Sequence, residues 1–174
     1  MARFTVVLDA CVLYPAPVRD LLLQLATTGL FKAHWSEQIH DEWMRNLLRN
    51  QPALDPQALQ RTRQLMDSYA EDALITGHMD LVEQLELPDA DDHHVLAAAI
   101  KVNADAIVTS NLKDFPEQAL EPHQTEAISP DDFIIYQFDL SAGAVLNAVK
   151  TIRSRLKSPS LTVEEYLAKI TQCG

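Results

Sequence analysis

Cysteine is nearly absent. Cys11 near the start and Cys173 next to the end of the 174 residues make no metal-ligand spacing and no disulfide framework, so both read as reduced thiols. Long hydrophobic runs are missing as well. Only a short apolar stretch precedes Asp9, and nothing approaches the roughly 20 apolar residues of a membrane span, so neither secretion nor membrane insertion is indicated and a cytoplasmic protein is expected. Positive charge is in deficit: 14 Lys and Arg against 25 Asp and Glu leave a net charge of -11. Such a chain is not broadly a polyphosphate binder, because nucleic-acid affinity is driven largely by neutralising phosphates. Internal repeats and low-complexity segments are lacking too.

What is present is apolar material, 47% of the residues, ample for the core of a single domain. The charge is also segregated. Residues 141–163 contain no acid but carry Lys150, Arg153, Arg155 and Lys157, which make either a solvated helix face or a contact surface for a nucleic acid or acidic partner.

Apolar periodicity predicts a strand over residues 4–8, a turn at Tyr14-Pro15-Ala16-Pro17, and a helix over 18–26 stopped near Gly29. A second strand is expected over 31–35, then a helix capped by Ser36 with Ile39, Trp43 and Leu47 on one face and Glu42 at its edge. Asp55-Pro56 opens a third helix running to Tyr69. Residues 73–75 are a weak strand candidate, and 81–87 support no assignment. Asp91-Asp92 starts an apolar helix that feeds a strand over 106–108, the signature of a parallel α/β sheet. A loop after Phe115-Pro116, a short strand at 127–128 and a helix from Ser129-Pro130 to Gln137 complete a domain over 1–138. Residues 139–174 read as a helical hairpin extension packed on it, with helices over 142–156 and 163–172, a break at Ser158-Pro159-Ser160, and a capping box of Thr162 and Glu165.

In parallel sheets, ligands bind beyond the carboxyl ends of the strands, where Asp9 and Thr109 fall. Asp92 belongs to the first turn of its helix on the side of Val95 and Leu96, and Glu42 reaches the same pocket if its helix crosses the strand ends. Carboxylates gathered from separate segments repel one another and call for a hard divalent cation or raised pKa values. Oxygen donors without paired His or Cys favour Mg²⁺ or Mn²⁺ over Zn²⁺, and the chemistry of such a site is phosphodiester hydrolysis. Each residue also has a plainer role available: Asp9 as the cap of the following turn, Asp89, Asp91 and Asp92 as an N-cap cluster, Glu42 as an ordinary exposed glutamate, and Asp114 as a loop residue. His93 and His94, adjacent on a helix, point in different directions and read as surface groups or groups behind the ligands.

Over residues 4–137 the chain resembles the PIN domain, a family of metal-dependent nucleases that includes VapC-type toxins of bacterial toxin–antitoxin pairs. The likeness is carried by Val7-Leu8-Asp9-Ala10-Cys11-Val12-Leu13, by Glu42, by Asp91-Asp92 with Val95-Leu96-Ala97-Ala98-Ala99, and by Ile107-Val108-Thr109 through Asp114-Phe115. It implies an α/β fold with a central parallel sheet flanked by helices, and a ribonuclease leaving a 5′-phosphate and a 3′-hydroxyl. It further implies Asp9, Glu42 and Asp92 as holders of Mg²⁺ or Mn²⁺, with Asn111 and Thr109 positioning water or a ligand. Asp91 is the alternative to Asp92. RNA contacts are expected from Arg45, Arg49, Arg153 and Arg155, and the implied partners are a small antitoxin protein that covers the pocket and a second copy of the chain.

Two departures stand out. The family usually has Asn where this chain has Cys11, a weak hydrogen bonder unsuited to Mg²⁺, and an acid where this chain has Asn111, with Asp114 as a substitute if the loop is one residue longer. These departures motivate an alternative: a PIN-like domain with attenuated catalysis that acts as a nucleic-acid-binding or regulatory module. A phosphatase of the haloacid dehalogenase type needs a second Asp at the position of Cys11. A receiver-like phosphoacceptor needs paired acids at an early strand end and a placed Lys, and neither is evident.

Overall fold

The computed structural model describes residues 4–69, 71–156 and 161–173. Five parallel strands run in the order β3-β2-β1-β4-β5: β1 (Phe4–Leu8), β2 (Phe31–Ser36), β3 (Leu74–Ile75), β4 (Ala106–Val108) and β5 (Glu126–Ile128). The apolar runs of β1 and β4 are buried throughout their paired length, as central strands covered on both faces must be. Leu8 pairs with Val108, so the residues that follow them, Asp9 and Thr109, leave the sheet side by side. The chain walks outward from β1 through β2 to β3 and returns to the other side of β1 for β4. The carboxyl ends of β1 and β4 therefore flank the switch point at which ligands enter sheets of this kind.

The helices are α1 (Ala10–Leu13), α2 (Ala16–Ala26), α3 (Glu37–Asn50), α4 (Pro56–Tyr69), α5 (His93–Lys101), α6 (Glu117–Leu120), α7 (Pro130–Leu140), α8 (Ala142–Arg155) and α9 (Val163–Gln172). The caps read from sequence are in place: the Ser36 hydroxyl accepts from Ile39 N–H, and Thr162 with Glu165 closes a reciprocal capping box. Gly29 has φ 81°, a left-handed conformation that lets the chain reverse between α2 and β2 without a Cβ clash.

Three expectations are corrected. The segment predicted as a turn followed by a helix from Val18 is two helices, because Asp9 caps Ala10 N–H and starts a four-residue helix at once, while Pro15 and Pro17 are compatible with the start of α2. The loop after Phe115-Pro116 contains α6, which buries Leu120. Asp91 and Asp92 lie in a 3₁₀ turn (Ala90–Asp92), and the α-helix itself begins at His93. Residues 81–87, unassigned from sequence, include most of another 3₁₀ turn (Met79–Gln84).

Phe133 of α7 meets Phe31 of β2 edge-on, with ring centroids 4.8 Å apart, and fixes α7 against the sheet. Helix α8 buries Val145, Ala148 and Ile152 and packs on α2 and α7, while α9 packs on α2. The Ser158-Pro159-Ser160 break and Lys157 lie outside the described residues. Among the described residues no helix is long and apolar enough to cross a membrane.

Candidate active site

Asp9 is 2% exposed. Its two oxygens have separate duties. Oδ1 accepts the Ala10 N–H at 2.8 Å, which is the capping role open to any strand-end Asp. Oδ2 accepts the Thr109 hydroxyl at 2.8 Å and the Cys11 thiol at 3.4 Å. Burial raises the Asp9 pKa above the usual carboxylate range; the Thr109 hydrogen bond opposes the shift and the charge of Glu42 adds to it.

Cys11 occupies the centre of this small network. Its sulfur is 3.4 Å from Thr109 Oγ1 and accepts the Ser110 N–H at 3.3 Å, while Thr109 Oγ1 accepts the Asn111 N–H at 3.0 Å. Thus one thiol and one hydroxyl tie the β1 end to the loop after β4. Burial first, and the Asp9 charge second, push the thiol up to about 11, so it is protonated at neutral pH.

Asp92 shows most plainly that the acids meet. Burial, reinforced by the charges of Asp9, Asp89, Glu42 and Asp114, raises its pKa to about 7. Asp89 takes over the capping duty that sequence left open to all three acids of the segment, accepting the Asp91 N–H at 2.9 Å, whereas Asp92 caps nothing with its side chain. Asp91 is exposed. Glu42 is half-buried at the pocket side of α3, and His94 Nε2 stands 3.7 Å from its Oε1.

The structure therefore joins Asp9, Cys11 and Thr109 by hydrogen bonds and brings Glu42, Asp92 and Asp114 within electrostatic reach of one another or of Asp9. Asn111 enters through its backbone, and its residue is exposed. Arg45 and Arg49 lie on the exposed side of α3, with Arg49 donating to Asn46. Arg153 and Arg155 belong to α8, and Arg155 sits near Asp20 and Tyr69. Sequence left His94 between a surface group and a group behind the ligands, and Asp89 within a cap cluster. No periodicity marks His94, because its place beside Glu42 depends on a contact distant in the chain, whereas Asp89 acts locally as a cap.

The donors are carboxylate oxygens, the chemistry that suits a hard divalent cation, with the His94 imidazole beside Glu42. Among the described residues, no three His, Cys, Asp or Glu are drawn tightly enough around one point to form a ready-made cage. The acids are near enough to repel and are not yet converged.

Behind the pocket, the opposite face of α3 is fully engaged. Trp43 Nε1 donates to His40 Nδ1 at 3.0 Å, and His40 Nε2 and Trp35 Nε1 each meet Asp67 Oδ1 at 2.8 Å. An indole can only donate, so His40 carries its proton on Nε2 and donates to Asp67. Burial lowers the His40 pKa, with the Asp67 hydrogen bond acting against it, which keeps the ring neutral.

The profile of the PIN domain family matches residues 5–113, and that of the VapC50 C-terminal domain matches residues 130–174. A stretch of 68 residues is 47% identical to the curated protein named "Putative ribonuclease VapC50" of Mycobacterium tuberculosis, covering 39% of this chain and 40% of that relative. The match thus spans less than half of the relative's length. No solved structure matches the chain. With the PIN domain profile running from β1 through the loop after β4, over more than half of the chain, the protein belongs to the PIN domain family.

Proposed function

We propose that the protein is a divalent-metal-dependent endoribonuclease that hydrolyses RNA phosphodiester bonds and is the toxin of a type II toxin–antitoxin pair. The observation that carries this reading is that a PIN domain places Asp9 at the carboxyl end of β1, bonded to Thr109 at the end of β4, within reach of the charges of Asp92 and Glu42. Acids whose charges act on one another are relieved by positive charge placed among them. The similarity to a relative named as a ribonuclease supports RNA as the substrate.

Asp9, Glu42 and Asp92 are the residues that would hold Mg²⁺ or Mn²⁺. Such a cation supplies charge neutralisation at the phosphate and acidifies the attacking water. The chain's own contributions are definable. Thr109 and Cys11 orient Asp9 Oδ2 from one side, so that carboxylate is pre-aimed and not free to swing. Asp114, near Asp92, takes the place of the acid expected at Asn111, whose residue is exposed. Asp92 binds a proton near neutral pH and gives it up when positive charge arrives. Arg45 and Arg49, and Arg153 and Arg155, are the cations available to RNA phosphates.

The same reading assigns a cytoplasmic location, a small antitoxin protein over the pocket and a homodimer. It assigns the catalytic unit to residues 1–138 and an extension to 139–174. A second reading, a regulatory module with attenuated catalysis, is favoured by one observation: a weakly bonding thiol stands beside Asp9 where the family's amide is expected. The deciding experiment is cleavage of end-labelled RNA by the purified chain with Mn²⁺, with EDTA, and with Asp9→Asn. Metal-dependent cutting that disappears in Asp9→Asn supports the nuclease. Binding of Mn²⁺ by a wild type that cuts RNA no faster than Asp9→Asn selects the regulatory module.

A further inference from the structure

Arg19 is 7% exposed on α2, between the buried Val18 and Leu21, with Asp20 beside it in the chain. Its Nη1 donates to the Leu13 carbonyl at 2.7 Å and lies 3.4 Å from the Tyr14 carbonyl, at the C-terminal end of α1. That short helix begins at Asp9, whose side chain caps it, and so its N-terminal end is held by a pocket carboxylate and its C-terminal end by a buried guanidinium. The same guanidinium lies 4.8 Å from the ring centroid of Trp43, the residue that follows Glu42 in α3. Trp43 is itself immobilised through His40 and Asp67.

We infer that Arg19 is a positioning residue, which sets the separation of Asp9 and Glu42 by joining the helix that starts at one to the helix that carries the other. The inference rests on the metal-site reading above. Its physical basis is that two acids that repel each other will drift apart unless their supports are tied, and a planar guanidinium can bond a helix end through its edge while stacking on an indole through its face. Lysine can do the first and not the second. A parallel, exposed link between the same two helices, Asn50 Nδ2 donating to Tyr14 Oη at 2.9 Å, ties the same two segments at the surface.

The test compares the full-length wild type with Arg19→Gln, Arg19→Lys and Ile152→Ala, a buried position where α8 packs on α2. Each is measured by calorimetric titration with Mn²⁺, by kcat and KM on RNA, and by thermal melting, at a temperature where circular dichroism shows all four folded. Arg19→Gln is expected to weaken Mn²⁺ affinity about tenfold, in the range seen when outer-shell partners of metal ligands are lost. It should lower kcat with little change in KM, and Arg19→Lys should recover part of the loss. Ile152→Ala should melt earlier and bind Mn²⁺ as wild type does. Unchanged Mn²⁺ affinity in Arg19→Gln, or an equal loss in Ile152→Ala, would overturn the inference. A wild type that neither binds Mn²⁺ nor cuts RNA would remove the nuclease reading and this inference with it, and is a distinguishable result.

Discussion

Glu42 and Trp43 are neighbours in α3 but belong to regions that treat polar groups in opposite ways. On the Glu42 side, the charges of Asp9, Asp92 and Asp114 act on one another, and the proton affinities of Asp9 and Asp92 rise. On the Trp43 side, Asp67, His40, Trp35 and Trp43 satisfy one another at 2.8 to 3.0 Å. A buried polar network in which each hydrogen-bonding group is used stiffens a structure, whereas one with unpaired charges stores unfavourable energy. The pairing of the two on one helix shows how a destabilised pocket is tolerated: the strain sits on an element whose other face is held firmly. Function and stability should therefore respond to mutation in opposite senses on the two faces.

The largest effect expected is that of Asp9→Asn. Removing the charge should reduce RNA cleavage by about a thousandfold or more, the scale associated with losing a principal contributor to an electrostatically driven site. The same change should raise the melting temperature, because a buried acid with a raised pKa is relieved by neutralisation. Parallel cleavage assays and thermal melts of the variant check both halves, and a melt that falls along with activity would break the contrast.

On the other face, His40→Ala should act in the reverse sense. It leaves the Trp43 N–H unpaired and opens a void in the core, a loss of about 2–4 kcal/mol measurable by urea unfolding. The effect on cleavage by the molecules that remain folded should be much the smaller of the two.

The smallest effect is expected at Cys11. Its thiol makes long contacts to Asp9 and Thr109, and Cys11→Asn replaces it with an amide able to donate a stronger hydrogen bond. Mn²⁺ affinity should rise by roughly twofold to fivefold, less than one hydrogen bond's net worth. Calorimetric titration of the variant against wild type measures it. A fall in affinity would show that the sulfur's bond with Ser110 N–H matters more than its contact with Asp9.

Much of this division was legible in the sequence. The apolar runs of β1 and β4, the Ser36 cap, the Asp55-Pro56 helix start and the order of the acidic segments are local signals, and the structure places those elements where the signals put them. The charges of Asp9, Glu42 and Asp92, each at an element end or edge, act on one another in the fold. What could not be read depends on contacts distant in the chain. His40 finds Asp67 on α4, and Arg19 finds Trp43 on α3, with no pattern in either segment announcing the other. Choosing Asp89 as the cap, which leaves Asp92 facing the acids, took the geometry of a 3₁₀ turn that three adjacent acidic positions do not specify. Asp114 was in doubt for a similar reason, because the 3₁₀ turn Leu112–Asp114 decides where its carboxylate goes.

On the pocket reading above, the acids are in conflict and a cation would resolve it. With a pKa of about 7 when folded against 3.8 as the ordinary value, Asp92 keeps a proton that the unfolded chain has released. Its contribution to stability is present below about pH 4 and is lost as pH rises through 7. A cation must displace that proton, so it should stabilise the protein more at pH 8 than at pH 6. The direct measurement is the melting temperature of wild type and Asp92→Asn from pH 5 to 8, with and without Mn²⁺. Wild type should melt earlier as pH rises and recover with Mn²⁺, and the variant should show a shallower pH dependence and little response to the metal. A wild type that melts with the variant's pH dependence and ignores Mn²⁺ would rule out acids in conflict at this site.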